Sequence, residues 1–502
     1  MEYMGNSKDR ILGNKAAASL EQIFNPRSVA VIGASSVIGK WGQMILSNIV
    51  AGRFPGKIFP VNSGGGTLCG LKAYKRIQDV PGSIDLAVIA APANAVGEVL
   101  RGCCEKGIQG SVVITSGFSE ADEEGRRRER ELAAYSEAAG MTMIGPNTMG
   151  ILCTHSDFFA SGAHSRPRKG SVAFVSQSGN LGTQLIHWAD QQGIGISLFV
   201  GSGNEAMVTC SDYLEYLEQD PHTGTIILYM EGVKDGRRFV EVSKRVNRSK
   251  PIIVLKGGRT EAGKVASASH TGAMHGETAV FRAACRQSGL VEVSAPSELL
   301  DLSAGFSSLP LPKGNRVGIV TLGGGWGVVT ADQCNEKGLL VPDIPDTIVR
   351  TIGSFLPPFW SRRNPVDLVG TQDPQVPLVA VEELLKWDGV DAVISLGIVG
   401  RNELLQLLVR SICEVDPSVS SSQLSQLEAA SREYEKAYVA KMADLMEEYG
   451  KPVIGVSLAR TQEGTVRHQQ GKSFHPVFYQ TPEDAVNVLA RMVQYHAYKA
   501  RG

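Results

Sequence analysis

One pattern occurs three times in this 502-residue chain. It reads Ser28-Val-Ala-Val-Ile-Gly-Ala-Ser-Ser-Val-Ile-Gly39, then Ser171-Val-Ala-Phe-Val-Ser-Gln-Ser-Gly-Asn-Leu-Gly182, then Arg316-Val-Gly-Ile-Val-Thr-Leu-Gly-Gly-Gly-Trp-Gly327. Each copy is a short apolar, β-branched run, a turn of small residues, and a stretch of helical periodicity (Trp41 to Val50, Thr183 to Gln192, Val328 to Lys337). A buried parallel strand feeding a helix through a tight turn has this signature. The spacing of the three starts suits domains of about 150 residues. More apolar runs alternate with amphipathic stretches, beginning at Asp85, Ser111, Thr225, Pro251, Asp391 and Pro452. Strand and helix in alternation build βαβ units and open sheets. The sequence therefore predicts an α/β protein of three doubly wound, Rossmann-like or flavodoxin-like domains.

Pro-containing polar segments at Arg166–Gly170 and Leu309–Gly314 mark the divisions. They give an N-terminal extension over 1–22 and domains over 23–165, 166–312 and 313–502. Ser418–Ser425 reads as a low-complexity, solvated loop ahead of a charged helix, Leu427–Tyr449. Fifty Lys and Arg balance 51 Asp and Glu, which argues against a nucleic-acid binder. No apolar run approaches the ~20 residues of a membrane span. The first residues, MEYMGNSKDR, lack the apolar core of a secretory signal. Eight scattered cysteines without metal spacing read as free thiols of a reducing, cytoplasmic compartment.

Three places carry candidate chemistry. The first turn, Gly33 to Gly39, lies where an open sheet takes a nucleotide, beyond a strand end and at a helix start. It is not GxGxxG, and the next strand, Ile58-Phe-Pro-Val-Asn62, lacks the acid that would hold an NAD ribose, so NAD is disfavoured. The second turn places Gln177, Ser178, Gly179 and Asn180 at a helix start, where unpaired N–H groups favour phosphate. The third place is Ala266-Ser-Ala-Ser-His-Thr-Gly-Ala-Met-His-Gly276. There His270 is expected on a low-bulk, movable loop, with Glu231, at the end of an apolar run, as its acidic partner. A surface histidine without role is the plainer reading of any such residue, and His275 has nothing beyond it.

These residues bring a family into view. From about Leu20 to Gln494 the chain resembles the α subunit of the NDP-forming acyl-CoA synthetases, relatives of succinyl-CoA synthetase. The likeness rests on Ser28-Val-Ala-Val-Ile-Gly-Ala-Ser, Gly145-Pro-Asn-Thr-Met-Gly150, Ser176-Gln-Ser-Gly179, Gly203-Asn-Glu-Ala206, Ser269-His-Thr-Gly272 and Asn364-Pro-Val-Asp-Leu368. It implies a first domain that binds CoA through Gly33, Ser35, Ser36, Val37, Ile38, Ser63, Pro92, Ile114, Thr115, Ser116 and Asn147. It implies that His270 is a phosphohistidine, Glu231 its stabilising carboxylate, and Gln177–Asn180 the holder of its phosphate. No metal ligands are expected in this chain. ATP or ADP and Mg2+ would come through a separate ATP-grasp β subunit, in an α2β2 assembly or around an α dimer, with a carboxylic acid or acyl-CoA as substrate.

Two departures from the family pattern stand out. Ser63 occupies a position where relatives often carry lysine, and Gly324-Gly-Trp-Gly327 replaces Gly-Gly-Pro-Gly. Trp326 is expected in the core, with an interface as the other possibility. Two other functions fit the scaffold: a nucleotide-independent CoA or carbamoyl-type acyl transferase, and a CoA-sensing protein without activity. A sensor needs neither His270 nor Glu231.

Overall fold

A computed structural model describes residues 18–271, 277–371, 373–415, 421–457, 459 and 463–501. The chain divides into two compact units. The first reaches Leu299, apart from Gln191–Gly193, and the second begins at Leu300.

The first unit opens with helix α1 (18–24), from which Leu20, Ile23 and Phe24 are fully buried. Its first sheet comprises β1 (Ser28–Ile32), β2 (Lys57–Val61), β5 (Leu86–Ile89), β6 (Gly110–Val113) and β7 (Thr142–Ile144), with a small hairpin, β3 (Gly66–Leu68) and β4 (Leu71–Ala73), beside them. The order is β2-β1-β5-β6-β7, all parallel. Helices α2 (Trp41–Ala51), α3 (Val96–Glu105) and α4 (Glu123–Ala138) connect the strands. β1, β5 and β6 are buried along their whole length, which is why they read as unbroken apolar runs.

The second sheet holds β8 (Gly150–Cys153), β9 (Phe158–Ser161), β10 (Lys169–Ser176), β11 (Ile196–Gly201), β12 (Thr225–Met230), β13 (Ile252–Lys256) and β14 (Val291–Val293). Its order is β14-β13-β12-β10-β11-β8-β9. Five parallel strands repeat the topology of the first sheet, and the β8–β9 hairpin extends it antiparallel to β11. This hairpin precedes Arg166, so the second sheet draws two strands from the segment read as first domain. Helices α5 (Gly179–Gln191), α6 (Cys210–Gln219), α7 (Gly236–Val246) and α8 (Glu261–Thr271) follow β10, β11, β12 and β13.

Within the second unit the third sheet repeats the order once more: β16 (Val366–Asp367), β15 (Val317–Thr321), β17 (Ala392–Leu396), β18 (Val453–Val456), β19 (Val477–Tyr479). The threefold sequence pattern thus corresponds to three flavodoxin-like sheets.

Three expectations change. The helices of the second and third copies begin earlier than their periodicity suggests, at Gly179 and Gly324, because glycine carries no apolar side chain to mark a helical face. The chain at Ser421 is already helical, in a helix that runs to Tyr449; Ser418–Ser420 lie outside the described residues. That helix is not simply solvated: Tyr438, Met442, Leu445 and Met446 are fully buried, and the Tyr438 and Ser395 hydroxyls hydrogen-bond at 2.7 Å. Trp326 is 53% exposed and outside the core.

The second unit is pinned at its strand entrances by Arg316 and Asp391. The guanidinium donates from Nε and Nη2 to the two carboxylate oxygens, each at 2.9 Å, and the Arg316 amide adds a third bond at 3.0 Å. Burial alone would raise the Asp391 carboxyl, but the Arg316 donors outweigh it and hold the group below its ordinary value. A depressed carboxylate contributes stability above its unfolded pKa and loses it as pH falls through the folded one. Arg316 is half exposed and screened, so Asp391→Asn is expected to cost about 1 kcal/mol at neutral pH. Thermal melting should show a gap between the two proteins that closes below about pH 4. A gap that fails to narrow as pH falls below about 4 would contradict this assignment.

Candidate functional site

In a sheet of this order, ligands settle beyond the carboxyl ends of the two strands where the winding reverses. In the first sheet these are β1 and β5, which lead into Gly33–Ser35 and Ala90–Pro92. In the second they are β10 and β12, which lead into Gln177–Asn180 and Glu231–Lys234. Both sets line one cleft of about 1250 Å3 in the first unit.

Gly33 stands at φ 86° directly after β1, and a Cβ there would lie 2.5 Å from the Ala90 carbonyl oxygen. The absence of a side chain lets the turn after β1 pack directly against the backbone that follows β5. Ser35 Oγ accepts from the Val37 amide at 3.0 Å and closes the turn. Asn62, where a dinucleotide site wants an acid, holds the turn instead: its Nδ2 donates to the Ala34 carbonyl at 2.6 Å and its Oδ1 accepts from the Gly64 amide at 2.7 Å.

On the opposite wall, α5 begins at Gly179 and presents its first amides to the cleft. Gln177 fixes this corner. Its Oε1 accepts from the Glu231 and Gly232 amides at 2.6 and 3.0 Å, and its Nε2 donates to the Gly232 carbonyl at 3.0 Å. Glu231 is buried, and the Tyr229 hydroxyl donates to its Oε1 at 3.4 Å. Burial and the neighbouring Glu231 push the Tyr229 phenol up, so it remains a donor. Lys256, buried at the end of β13, donates to the Glu231 and Gly257 carbonyls, each at 2.6 Å, and burial pulls its ammonium down.

Most of the residues singled out by sequence therefore converge: Gly33, Ser35, Ser63, Pro92, Ile114, Thr115, Ser116, Asn147, Gln177, Ser178, Gly179, Asn180 and Glu231 all line the cleft. Ser36, Val37 and Ile38 do not. They are exposed, Ile38 by 90%, between Ser35 and Gly39, which do. The backbone of His270 lies in α8, which leaves the same end of the second sheet, rather than in the expected loop. Ala262, Ala266 and Ala268 favour helix there. The His270 side chain, and the whole of His275, lie outside the described residues. Trp41, Arg126, Glu129 and Lys234, which the sequence did not mark, also line the cleft, as do Asn204 and Glu205, which it marked only as part of a family likeness without a site role. Among the described residues no three His, Cys, Asp or Glu side chains gather as they would around a metal ion, and no helix is long and apolar enough to cross a membrane.

Three family models match the chain. They are a CoA binding domain over residues 27–154, a succinyl-CoA ligase like flavodoxin domain over 169–306 and a ligase-CoA domain over 317–398. Sheet order, cleft and models define a CoA-binding α/β protein of the ligase class. The chain is 41% identical, over 76% of its length and 82% of the relative's, to the ADP-forming acetate–CoA ligase II subunit alpha of Pyrococcus furiosus. Over 94% of its length it is 33% identical to the ADP-forming 4-hydroxybutyrate–CoA ligase of Nitrosopumilus maritimus, of which it spans 64%. A solved structure of the dinucleotide forming acetyl-coenzyme A synthetase 1 of Ca. Korarchaeum cryptofilum, in complex with phosphate and ADP, matches 96% of this chain and 97% of its own, with TM-score 0.81 and 32% identity. The chain belongs to the NDP-forming acyl-CoA synthetases.

Proposed function

We propose that this chain is the CoA-ligating α subunit of an ADP-forming acyl-CoA synthetase, interconverting a carboxylic acid, CoA and ATP with acyl-CoA, ADP and phosphate. The observation that carries the proposal is the single cleft lined both by the first-sheet turn at Gly33–Ser35 and by the α5 start with Glu231. Its size suits an extended ligand. Gly33 admits a close backbone approach, Ser35, Ser63 and Ser116 offer hydroxyls, and Pro92 and Ile114 offer apolar surface, with Thr115 and Asn147 alongside. Ser36, Val37 and Ile38 would meet CoA where it leaves the cleft.

In this reading a phosphorylated His270 reaches the α5 start, where Gln177, Ser178, Gly179 and Asn180 surround the phosphoryl group with fixed positive dipoles. Glu231 holds the imidazole in the tautomer that carries phosphorus and balances its cation. A substrate carboxylate oxygen attacks phosphorus as the N–P bond breaks, giving an acyl phosphate and neutral His270. The CoA thiol, as thiolate, then attacks the acyl carbon, the C–O bond to phosphate breaks, and thioester and inorganic phosphate leave.

The domains proposed for these roles are 23–165 for CoA, 166–312 for the phosphoryl group and 313–502 as a second ligase-like domain, after the extension 1–22. ATP and Mg2+ are assigned to a separate ATP-grasp β subunit, in a cytoplasmic α2β2 assembly or around an α dimer. The Pyrococcus relative's name as a subunit alpha supports a separate partner subunit. The test combines the chain with an ATP-grasp partner, ATP, Mg2+, CoA and a panel of acids headed by acetate. ADP and thioester are expected in equal amounts, and neither without the partner. Acyl exchange between thioesters without nucleotide would instead establish the transferase.

A further inference from the structure

The Gly203-Asn-Glu-Ala206 element has no role in the mechanism above, yet it occupies the middle of the cleft wall. It is a turn after β11, docked on the chain before Asn147: the Asn204 amide donates to the Pro146 carbonyl and the Ala206 amide to the Gly145 carbonyl, each at 3.0 Å. Gly203 and Glu205 both have positive φ, 60° and 54°. A Cβ on Gly203 would collide with the Pro146 carbonyl. The turn is thus held in an uncommon conformation by backbone contacts, and its two polar side chains reach different places.

Asn204 reaches toward the CoA side. Its Nδ2 donates to Glu120 Oε2 at 2.6 Å and to Glu129 Oε2 at 2.7 Å, and its Oδ1 accepts from Asn147 Nδ2 at 3.2 Å. The two carboxylates in turn hold the loop after Ser116. Glu120 Oε1 accepts from the Gly117 and Phe118 amides, and Glu129 Oε2 from the amide and hydroxyl of Ser119. One amide group therefore draws two acidic side chains together and, through them, sets the loop that carries Ser116.

Glu205 reaches the phosphate side. It is 3% exposed. Its Oε1 accepts from the Ser202 hydroxyl at 2.9 Å, its Oε2 lies 3.4 Å from the Cys210 amide, and the carboxyl group also takes a hydrogen bond from the Gln177 side chain. Lys234 Nζ donates to the Glu205 backbone carbonyl at 2.6 Å, and its charge favours the ionised carboxylate. Burial pushes the Glu205 carboxyl up despite these donors. The Gln177 amide thus stands between the Glu205 carboxyl on one side and the Glu231 and Gly232 backbone on the other.

We infer that Asn204 and Glu205 are a positioning pair on one turn, Asn204 setting the CoA loop and Glu205 setting Gln177 and, through it, Glu231. This rests on reading the cleft as the CoA and phosphoryl site. Neither residue is assigned a contact with the reacting atoms. Because the turn between them is held by its backbone contacts, each side chain acts on its own side of the cleft.

The test uses the chain alone with acetyl-CoA and inorganic phosphate, following phosphoryl labelling by intact mass, and CoA binding by calorimetry. Asn204→Ala is expected to weaken CoA binding about tenfold while leaving the labelling rate at saturating acetyl-CoA within about threefold of wild type. Glu205→Ala should do the reverse, slowing labelling about tenfold with CoA affinity within about twofold. Glu205→Gln should restore the rate to within about threefold, since its carbonyl accepts from Gln177 and its NH2 meets the Ser202 hydroxyl. That rescue separates positioning from a general loss of fold. Equal effects of Asn204→Ala and Glu205→Ala on both readouts, no effect of either, or Glu205→Gln as slow as Glu205→Ala would overturn the pair. Wild-type protein that binds CoA but takes no label would instead overturn the phosphohistidine reading beneath it.

Discussion

His270→Ala is expected to abolish phosphoryl labelling and to lower thioester synthesis by about 10³-fold or more, since a covalent carrier has no substitute once its nucleophile is gone. The α5 start and the Gln177–Asn180 turn offer fixed donors to a phosphoryl group, and Glu231 is buried beside them, but none of these groups can itself carry phosphorus from one site to another. CoA binding is expected to survive the substitution, because the first-sheet turn that would hold CoA shares no residue with α8. Incubation with phosphate and acyl-CoAs, followed by intact mass, should show one acid-labile phosphoryl group on wild type and none on the variant. A label that persists on His270→Ala would move the nucleophile elsewhere. A variant that loses the label and CoA binding together would point to damage of the fold.

The second large effect concerns Gly33. Gly33→Ala is expected to weaken CoA binding by about 100-fold, through roughly 3 kcal/mol of clash and strain at a site that cannot relax. A Cβ at 2.5 Å from the Ala90 carbonyl oxygen also lies 2.7 Å from its carbon, so the neighbour that would have to move is backbone. That backbone is anchored, with the Ala90 amide donating to the Ile32 carbonyl at 2.8 Å. α2 packs on the other side, where Gly42 meets the Gly33 carbonyl so closely that it too has no room for a Cβ. Gly39 supplies the control. It has the same φ, 87°, but nothing within 4 Å of its would-be Cβ. Gly39→Ala should therefore cost only the conformational part, about 1 kcal/mol. Calorimetric titration with CoA measures both, and equal losses at the two glycines would refute the close-approach argument.

The strand cores were legible because a parallel strand buried on both faces leaves an unbroken apolar run, as in Val29–Ile32 or Ile252–Leu255. Gly33, Gln177 and Glu231 were legible for a related reason, since they directly follow such runs and strand ends are where open sheets act. The β8–β9 hairpin escaped because its strands are only four residues each and stand ahead of the Arg166–Gly170 signal that marks the next domain. The phosphate-side helix hid its first turn behind Gly179 and Gly182. Glu129 gave no local signal, and Asn204 and Glu205 showed only as part of the Gly203-Asn-Glu-Ala206 likeness, which says nothing of their partners. An asparagine in a turn and a glutamate on a charged helix are ordinary, and their weight comes from partners far away in the chain, Glu120 and Gln177 among them.

The β8–β9 hairpin also bears on how the protein can be taken apart. A fragment cut at Arg166, where composition and proline place the joint, would keep the five parallel strands of the second sheet but lose the hairpin. It would leave β11 with a bare row of amides and carbonyls along Ile151 to Cys153's former place. An uncovered edge beside buried apolar residues is a template for pairing with another chain. A fragment meant to keep the second sheet with its edge covered must therefore begin before Gly150, inside the segment that composition assigns to the domain ahead of it.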